Sequence, residues 1–231
     1  MHIGLIGGIG PAATVVYYNA LVAEMRKRGK PLDLTIAQAE ASVLVVNSRE
    51  NNRDRQATIY ADLIKRLDGA GADCVAITSL GGHFCFEETK ALSALPLISA
   101  ITPLDAVFSG QGLKRVGLLG TQRVMSTRLY GQLHSTEAVV PDGDLDMIGK
   151  TYTDLALSGT CTDDQRAFFF EEGRKMVEDQ GAEAIVLAGT DLGLAFHGHD
   201  TGYRVIDALD VHVNVLAKLA AGELDLEKVA A

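Results

Sequence analysis

Tryptophan is absent from the 231 residues, and all aromatics together make up only 6% of the chain. Such a composition does not suit aromatic ligand platforms. Positive charge is scarce as well: 21 Lys and Arg face 30 Asp and Glu, leaving a net charge of −9. That balance repels phosphate backbones and anionic lipid surfaces, so neither nucleic acid nor a membrane is an expected partner. No apolar run reaches the roughly 20 residues needed to cross a bilayer, and the first apolar strand follows no basic leader. Cysteine is limited to Cys74, Cys85 and Cys161, an odd number without CxxC spacing. This excludes a disulfide framework and a zinc cluster, and points to a reducing compartment, the cytoplasm.

What is plentiful is glycine, with 24 residues, within a chain that is 47% hydrophobic. Enough apolar surface is present for a substantial core, and glycine suits tight strand-to-helix turns. Short β-branched runs read as buried strands at 2–6, 32–37, 74–78, 97–99, 116–119 and 184–187. Amphipathic stretches read as helices at 11–28, 54–67, 125–133 and 163–180, and Gly29, Gly69 and Gly181 close three of them. Strands separated by helices of this length pair in parallel, with helices covering both faces. The expected class is therefore α/β with mostly parallel sheets. The tail from Gly222 reads as loosely attached.

Two segments recur in order, about 110 residues apart. IGLIGG at 3–8 is echoed by VGLLGT at 116–121, and GADCVAITSLGGHF at 71–84 by GAEAIVLAGTDLGLAF at 181–196. A duplicated half predicts two pseudo-symmetric lobes: residues 1–102 with 208–231, and residues 103–207. Ligands of parallel sheets sit beyond the carboxyl ends of strands. Four turns are therefore singled out, after Ile6, Thr78, Leu119 and Leu187, with the cleft expected between the lobes.

The first turn contains Gly8-x-Gly10-x-x-Ala13, a loose dinucleotide fingerprint. Pro11 follows at once, and Asp33 begins a strand where a ribose-binding acid would end one. The plainer reading is a tight turn whose backbone N–H groups meet a small carboxylate or phosphate.

Together the turns resemble the aspartate/glutamate racemase family, whose members need no pyridoxal cofactor. IGLIGGIGPAATVVYY resembles its opening signature, VGLLGTQRVMSTRLY its second-lobe strand, and GAEAIVLAGTDL with VIDALDVHV its closing motifs. The resemblance runs from Ile3 to the neighbourhood of Ala220. It implies two α/β lobes, a homodimer, and cofactor-free and metal-free removal and return of an α-proton by two cysteines. It also implies where those thiols belong, one in a Cys-Asn-Thr-Ala-His pattern and one in Gly-Cys-Thr-Glu. Here Ser79 and Gly189 occupy those positions, Leu80 and Gly81 replace Asn and Thr, and His83 is retained. Thr190 matches, and Asp191 shortens the usual Glu.

The catalytic candidates are therefore Ser79, Gly189, His83 and Asp191, with Cys85 as a substitute thiol. Structural roles compete at each: His83 as a brace for its turn, Asp191 as a helix cap, Cys85 as a core residue. Substrate-binding candidates are Gly8, Ile9 and Gly10, then Gly81 and Gly82, Thr121 and Thr190. Arg49, with Arg53 and Arg55 beside it, is placed to clasp a side-chain carboxylate. The glycines at 81, 82 and 189 are expected to enlarge the site. His197-Gly198-His199-Asp200 is metal-like in composition but reads as a solvated loop. The expected partner is a small amino or carboxylic acid. Three functions follow: a racemase-like isomerase for a small acidic amino acid, a one-base isomerase or lyase using His83, Asp191 or Cys85, and a catalytically silent binding protein.

Overall fold

The computed structural model describes residues 1–229. The chain divides into two compact units, Met1–Ala100 with the segment from His212 onward, and Ile101–Val211. Each unit is built on a four-stranded parallel sheet flanked by helices.

In the first unit the strands are β1 (His2–Gly7), β2 (Asp33–Gln38), β3 (Cys74–Ile77) and β4 (Leu97–Ile98), in the order β2-β1-β3-β4. Helix α1 (Pro11–Lys27) returns the chain from β1 to β2, with Pro11 in its first turn, where a missing N–H costs nothing. Two helices, α2 (Ala41–Arg49) and α3 (Arg53–Gly69), connect β2 to β3, and α4 (Phe86–Leu92) leads towards β4. The central strands β1 and β3 are buried almost throughout, as near-continuous apolar runs require. The second strand differs from the sequence expectation. It lies at the sheet edge and is half-exposed, with Ile36 40% exposed, because only one neighbour covers it.

The second unit repeats the arrangement. Its strands β5 (Arg115–Leu119), β6 (Glu137–Val139), β7 (Ala184–Leu187) and β8 (Val205–Asp207) run in the order β6-β5-β7-β8. Its helices are α5 (Thr102–Gly110), α6 (Gln122–Ser126), α7 (Leu145–Ser158), α8 (Asp163–Glu178) and α9 (Gly193–Phe196). Helix α7 is delimited by local chemistry: the Asp144 carboxylate accepts the Asp146 and Met147 N–H groups, and Gly159 ends it at φ 67°. Helix α8 opens on a capping box formed by Thr162 and Gln165. One face of each helix packs into a core containing Ile148, Tyr152, Leu155, Phe169 and Met176.

One expectation is corrected. The helix read at 125–133 stops after Ser126, because Arg128, Leu129 and Tyr130 take left-handed φ values of 48°, 56° and 57°. After α10 (Ala208–Ala220), Lys30 Nζ donates to Ala221 O and Arg28 Nε lies 3.3 Å from Glu223. A short α11 (Leu226–Val229) follows. No helix among the described residues is long and apolar enough to cross a membrane.

Candidate functional site

The turns singled out by sequence stand at the carboxyl ends of the two central strands in each unit. In the first unit the turn after β1 is a hydrogen-bonded knot. Gly8 sits at φ 85°, and a Cβ there would meet the Gln38 amide at 2.0 Å, so only glycine fits. Its N–H donates to Thr14 Oγ1 at 2.8 Å, and Thr14 Oγ1 donates to Gly10 O at 3.2 Å. Thr78 Oγ1 lies 3.3 Å from Thr14 Oγ1 and donates to Ile6 O at 3.0 Å. The Gly8 donor is thus already spent on Thr14, a residue the sequence reading did not single out. Ile9 and Gly10 are buried beside it. Replacing Thr14 by valine strands the buried Gly8 N–H, an expected loss of about 1–3 kcal/mol. Urea midpoints measure it, and Thr14→Ser should keep most of the stability.

The turn after β3 is organised by His83. Its Nδ1 donates to Ser79 O at 2.7 Å, and its Nε2 accepts the Ala100 N–H at 3.0 Å. Those two bonds define the tautomer and leave no ring nitrogen for a substrate proton. The ring is buried, stacks on Phe86 at 5.2 Å, and burial pushes its pKa down to about 4. His83 is therefore a brace, and the proton-carrying role entertained for it is corrected. Ser79 Oγ accepts the Gly82 N–H at 3.2 Å, and Gly81 opens the one-turn 3-10 segment that leads to Cys85.

Burial raises the thiols of Cys85 and Cys74 to about 11 and about 12, and raises that of Cys161 as well. None is a ready thiolate. The Cys85 Sγ packs 3.7 Å from Thr89 Oγ1 inside the core.

In the second unit, Thr121 follows β5 and caps α6 by accepting the Val124 N–H at 3.2 Å. The turn after β7 holds Gly189, Thr190 and Asp191, the last two buried. A Cβ on Gly189 would lie 2.4 Å from Tyr152 Cε2 and 2.6 Å from Cζ. The ring of Tyr152, supplied by α7, fills the place of the missing side chain. Its hydroxyl donates to Asp191 Oδ2 at 3.4 Å and is also hydrogen-bonded by the Thr190 side chain. Burial first, and the Asp191 carboxylate second, hold the phenol well above its usual range. The expected enlargement at the glycines is therefore overturned at two positions. Tyr152 closes the space at Gly189, and a Cβ at Gly82 would meet Tyr60 Oη at 2.7 Å. A sequence signal for Tyr152 existed in the Asp144 cap and the Gly159 stop, which frame α7.

Arg49 is exposed on the last turn of α2, and Arg53 pairs with Glu88 at 3.0 Å. Among the described residues, no group of three or more His, Cys, Asp or Glu side chains is arranged to hold a metal ion. His197, from the metal-like cluster, instead faces Asp207 with its Nε2 2.9 Å from Oδ2.

Several solved structures share this architecture. A Yersinia pestis structure aligns with a TM-score of 0.78 at 22% identity, over 96% of this chain and 100% of its own. An aspartate racemase homologue from Pyrococcus horikoshii OT3 gives 0.75 at 24% identity, over 95% and 99%. The Picrophilus torridus aspartate racemase gives 0.75 at 22% identity, over 96% and 95%. At these identities the likeness is one of fold. Membership rests on the sequence itself: residues 6–216 match the Asp/Glu/hydantoin racemase family. The chain belongs to that family.

Proposed function

We propose that this protein is an isomerase-type enzyme that binds a small acidic amino acid, or a related small carboxylic acid, and labilises the proton next to the carboxylate by one-base chemistry. The observation that carries this reading is the missing thiol pair. Ser79 and Gly189 stand at the strand ends where the family resemblance implies cysteines, and Tyr152 occupies the space at Gly189. The cysteines present have raised pKa values and do not supply a thiolate in their place. An α-C–H is a very weak acid, so the reaction still needs a positioned base and donors for the developing charge. Within the first unit this reading assigns Ile9, Gly10, Gly81 and Arg49 to ligand binding, and within the second unit Thr121 and Thr190. The same reading makes the enzyme a cofactor-free cytoplasmic homodimer, and sedimentation of the purified protein tests the dimer.

Incubation in deuterated water with D- and L-aspartate, D- and L-glutamate and other small acids tests the reaction. The expected result is deuterium at the α-carbon with the starting chirality retained. Inversion keeping pace with exchange would instead establish two-base racemisation. Ligand-induced stabilisation without any exchange would identify a silent binding protein and end the enzymatic reading.

A further inference from the structure

The second unit carries a cavity whose lining does not suit the acids assigned to the strand-end turns. It measures about 350 Å³, within the range of small-molecule sites, and lies beside the edge strand, where β7 and β8 pair Leu187 with Asp207. Three of its walls are aromatic: Phe196, His199 and Tyr203. One residue of α8 braces all three. The Phe170 ring tilts against Phe196 at 4.9 Å and meets His199 edge-on at 6.4 Å, and the Phe170 carbonyl accepts the Tyr203 hydroxyl at 3.0 Å. The walls are thus set by the fold, in a chain otherwise poor in aromatics.

The charged lining is acidic. Asp200, Asp207 and Asp210 line the cavity, and among the described residues neither lysine nor arginine does. The neighbouring arginines are engaged elsewhere: Arg166 Nη1 donates to Asp163 Oδ1 at 2.5 Å and its Nε to Ala195 O at 3.2 Å, while Arg204 Nη2 donates to Gln111 Oε1 at 2.6 Å. Asp207 is fixed in the wall, with its side chain only 5% exposed. Its Oδ1 accepts the Leu209 N–H at 2.8 Å, and its Oδ2 lies 2.9 Å from Nε2 of His197, whose side chain is 49% exposed. A carboxylate entering this space meets like charge and no fixed cation. An organic cation meets carboxylates and aromatic faces, both attractive to it. A metal ion is a poorer match, because among the described residues no three His, Cys, Asp or Glu side chains converge to hold one.

We propose that this cavity binds a small organic ammonium ion that carries no carboxylate, seated between the aromatic walls and the carboxylates of Asp207 and Asp210. None of the residues assigned above to an acid ligand lines it, so the amine is a second ligand and the assignment does not depend on the α-proton reading. His197 makes the site responsive to pH. The groups around it are Asp207 from β8, Asp210 from α10, and His199 and Asp200 on its own loop. Protonated, His197 is itself the counter-ion of Asp207 and competes with the ammonium ion. Neutral, it leaves the negative charge of the cavity to the ligand. The hydrogen bond to Asp207 raises the His197 pKa, so amine affinity should rise with pH through a limb above the ordinary 6.5.

Calorimetric titration of the full chain at constant ionic strength tests the site, with ethanolamine, 1,4-diaminobutane and choline as probes and potassium chloride and succinate as controls. Saturable one-to-one binding is expected for at least one amine, and none for potassium. Asp210→Asn, at an exposed position, should weaken amine binding by about tenfold. Tyr203→Leu, which removes a ring face, should weaken it by about threefold, whereas Tyr203→Phe should leave it close to wild type. His197→Gln should keep amine binding at pH 8 and abolish the pH limb, which a merely acidic surface would not show. Equal binding of potassium overturns the proposal, as does amine affinity that is unchanged in both Asp210→Asn and Tyr203→Leu. Succinate binding that is lost in Asp210→Asn overturns the assigned ligand class. No saturable binding of any of the three amines to the folded wild type overturns the site itself, and none of these results bears on deuterium exchange by the protein.

Discussion

Gly189→Cys should destabilise the protein by about 1–3 kcal/mol and confer no racemase activity, because the new side chain enters space already filled. The Cβ of any residue at 189 meets the Tyr152 ring at 2.4 Å, and α7 carries that ring deep in the core. Restoring a thiol at this strand end therefore requires removing the ring at the same time. Tyr152→Ala alone leaves a cavity and should cost about 3–5 kcal/mol. The double variant Gly189→Cys/Tyr152→Ala should be more stable than the sum of the two single effects, with a favourable coupling of about 0.5–3 kcal/mol. Urea denaturation of the four proteins measures it. Additive losses would show that the ring yields without strain and that the two positions are independent. Adding Ser79→Cys to the double variant then asks whether two thiols at the matched positions suffice for inversion of aspartate.

A second large effect is expected from acid. His83 and His212 are both buried and neutral in the folded protein, their pKa values pushed by burial down to about 4 and about 3. His212 Nδ1 is hydrogen-bonded to the Tyr17 hydroxyl at 2.8 Å, and a charge on His83 would further oppose one on His212. In the unfolded chain both titrate at the ordinary 6.5. Below that value the unfolded state binds protons that the folded state refuses. Stability is accordingly complete above pH 6.5 and is lost as the pH falls towards the folded values, at up to about 1.4 kcal/mol per pH unit for each histidine. Urea midpoints between pH 7.5 and 5 should fall steeply, and His212→Asn should halve the slope even though it lowers stability at pH 7.5. A midpoint independent of pH in this window would contradict the neutral, buried state of both rings.

The elements legible from sequence are those whose signal is local. Near-continuous apolar runs mark β1, β3, β5 and β7, the strands buried on both faces, and closing glycines mark the ends of long helices. The order of the two echoed segments reflects the equivalent strand orders β2-β1-β3-β4 and β6-β5-β7-β8. By contrast, β6 and β8 have three residues each, too few to display a period. The run at Leu129 and Tyr130 looks helical in composition, but its backbone is left-handed.

For the site, the sequence by itself determined which turns end the central strands and that residues 79 and 189 carry no thiol, since a motif's identity and spacing are written along the chain. Only the tertiary structure decided what each residue there does. It brings Tyr152 from α7 into the space of Gly189, joins both nitrogens of His83 to backbone, and aligns Asp207 with His197 across the loop between α9 and β8. The physical reason is that space and hydrogen-bond partners belong to neighbours in three dimensions. A glycine reads as room until packing shows what fills it, and a histidine reads as a base until its lone pair is found to be taken.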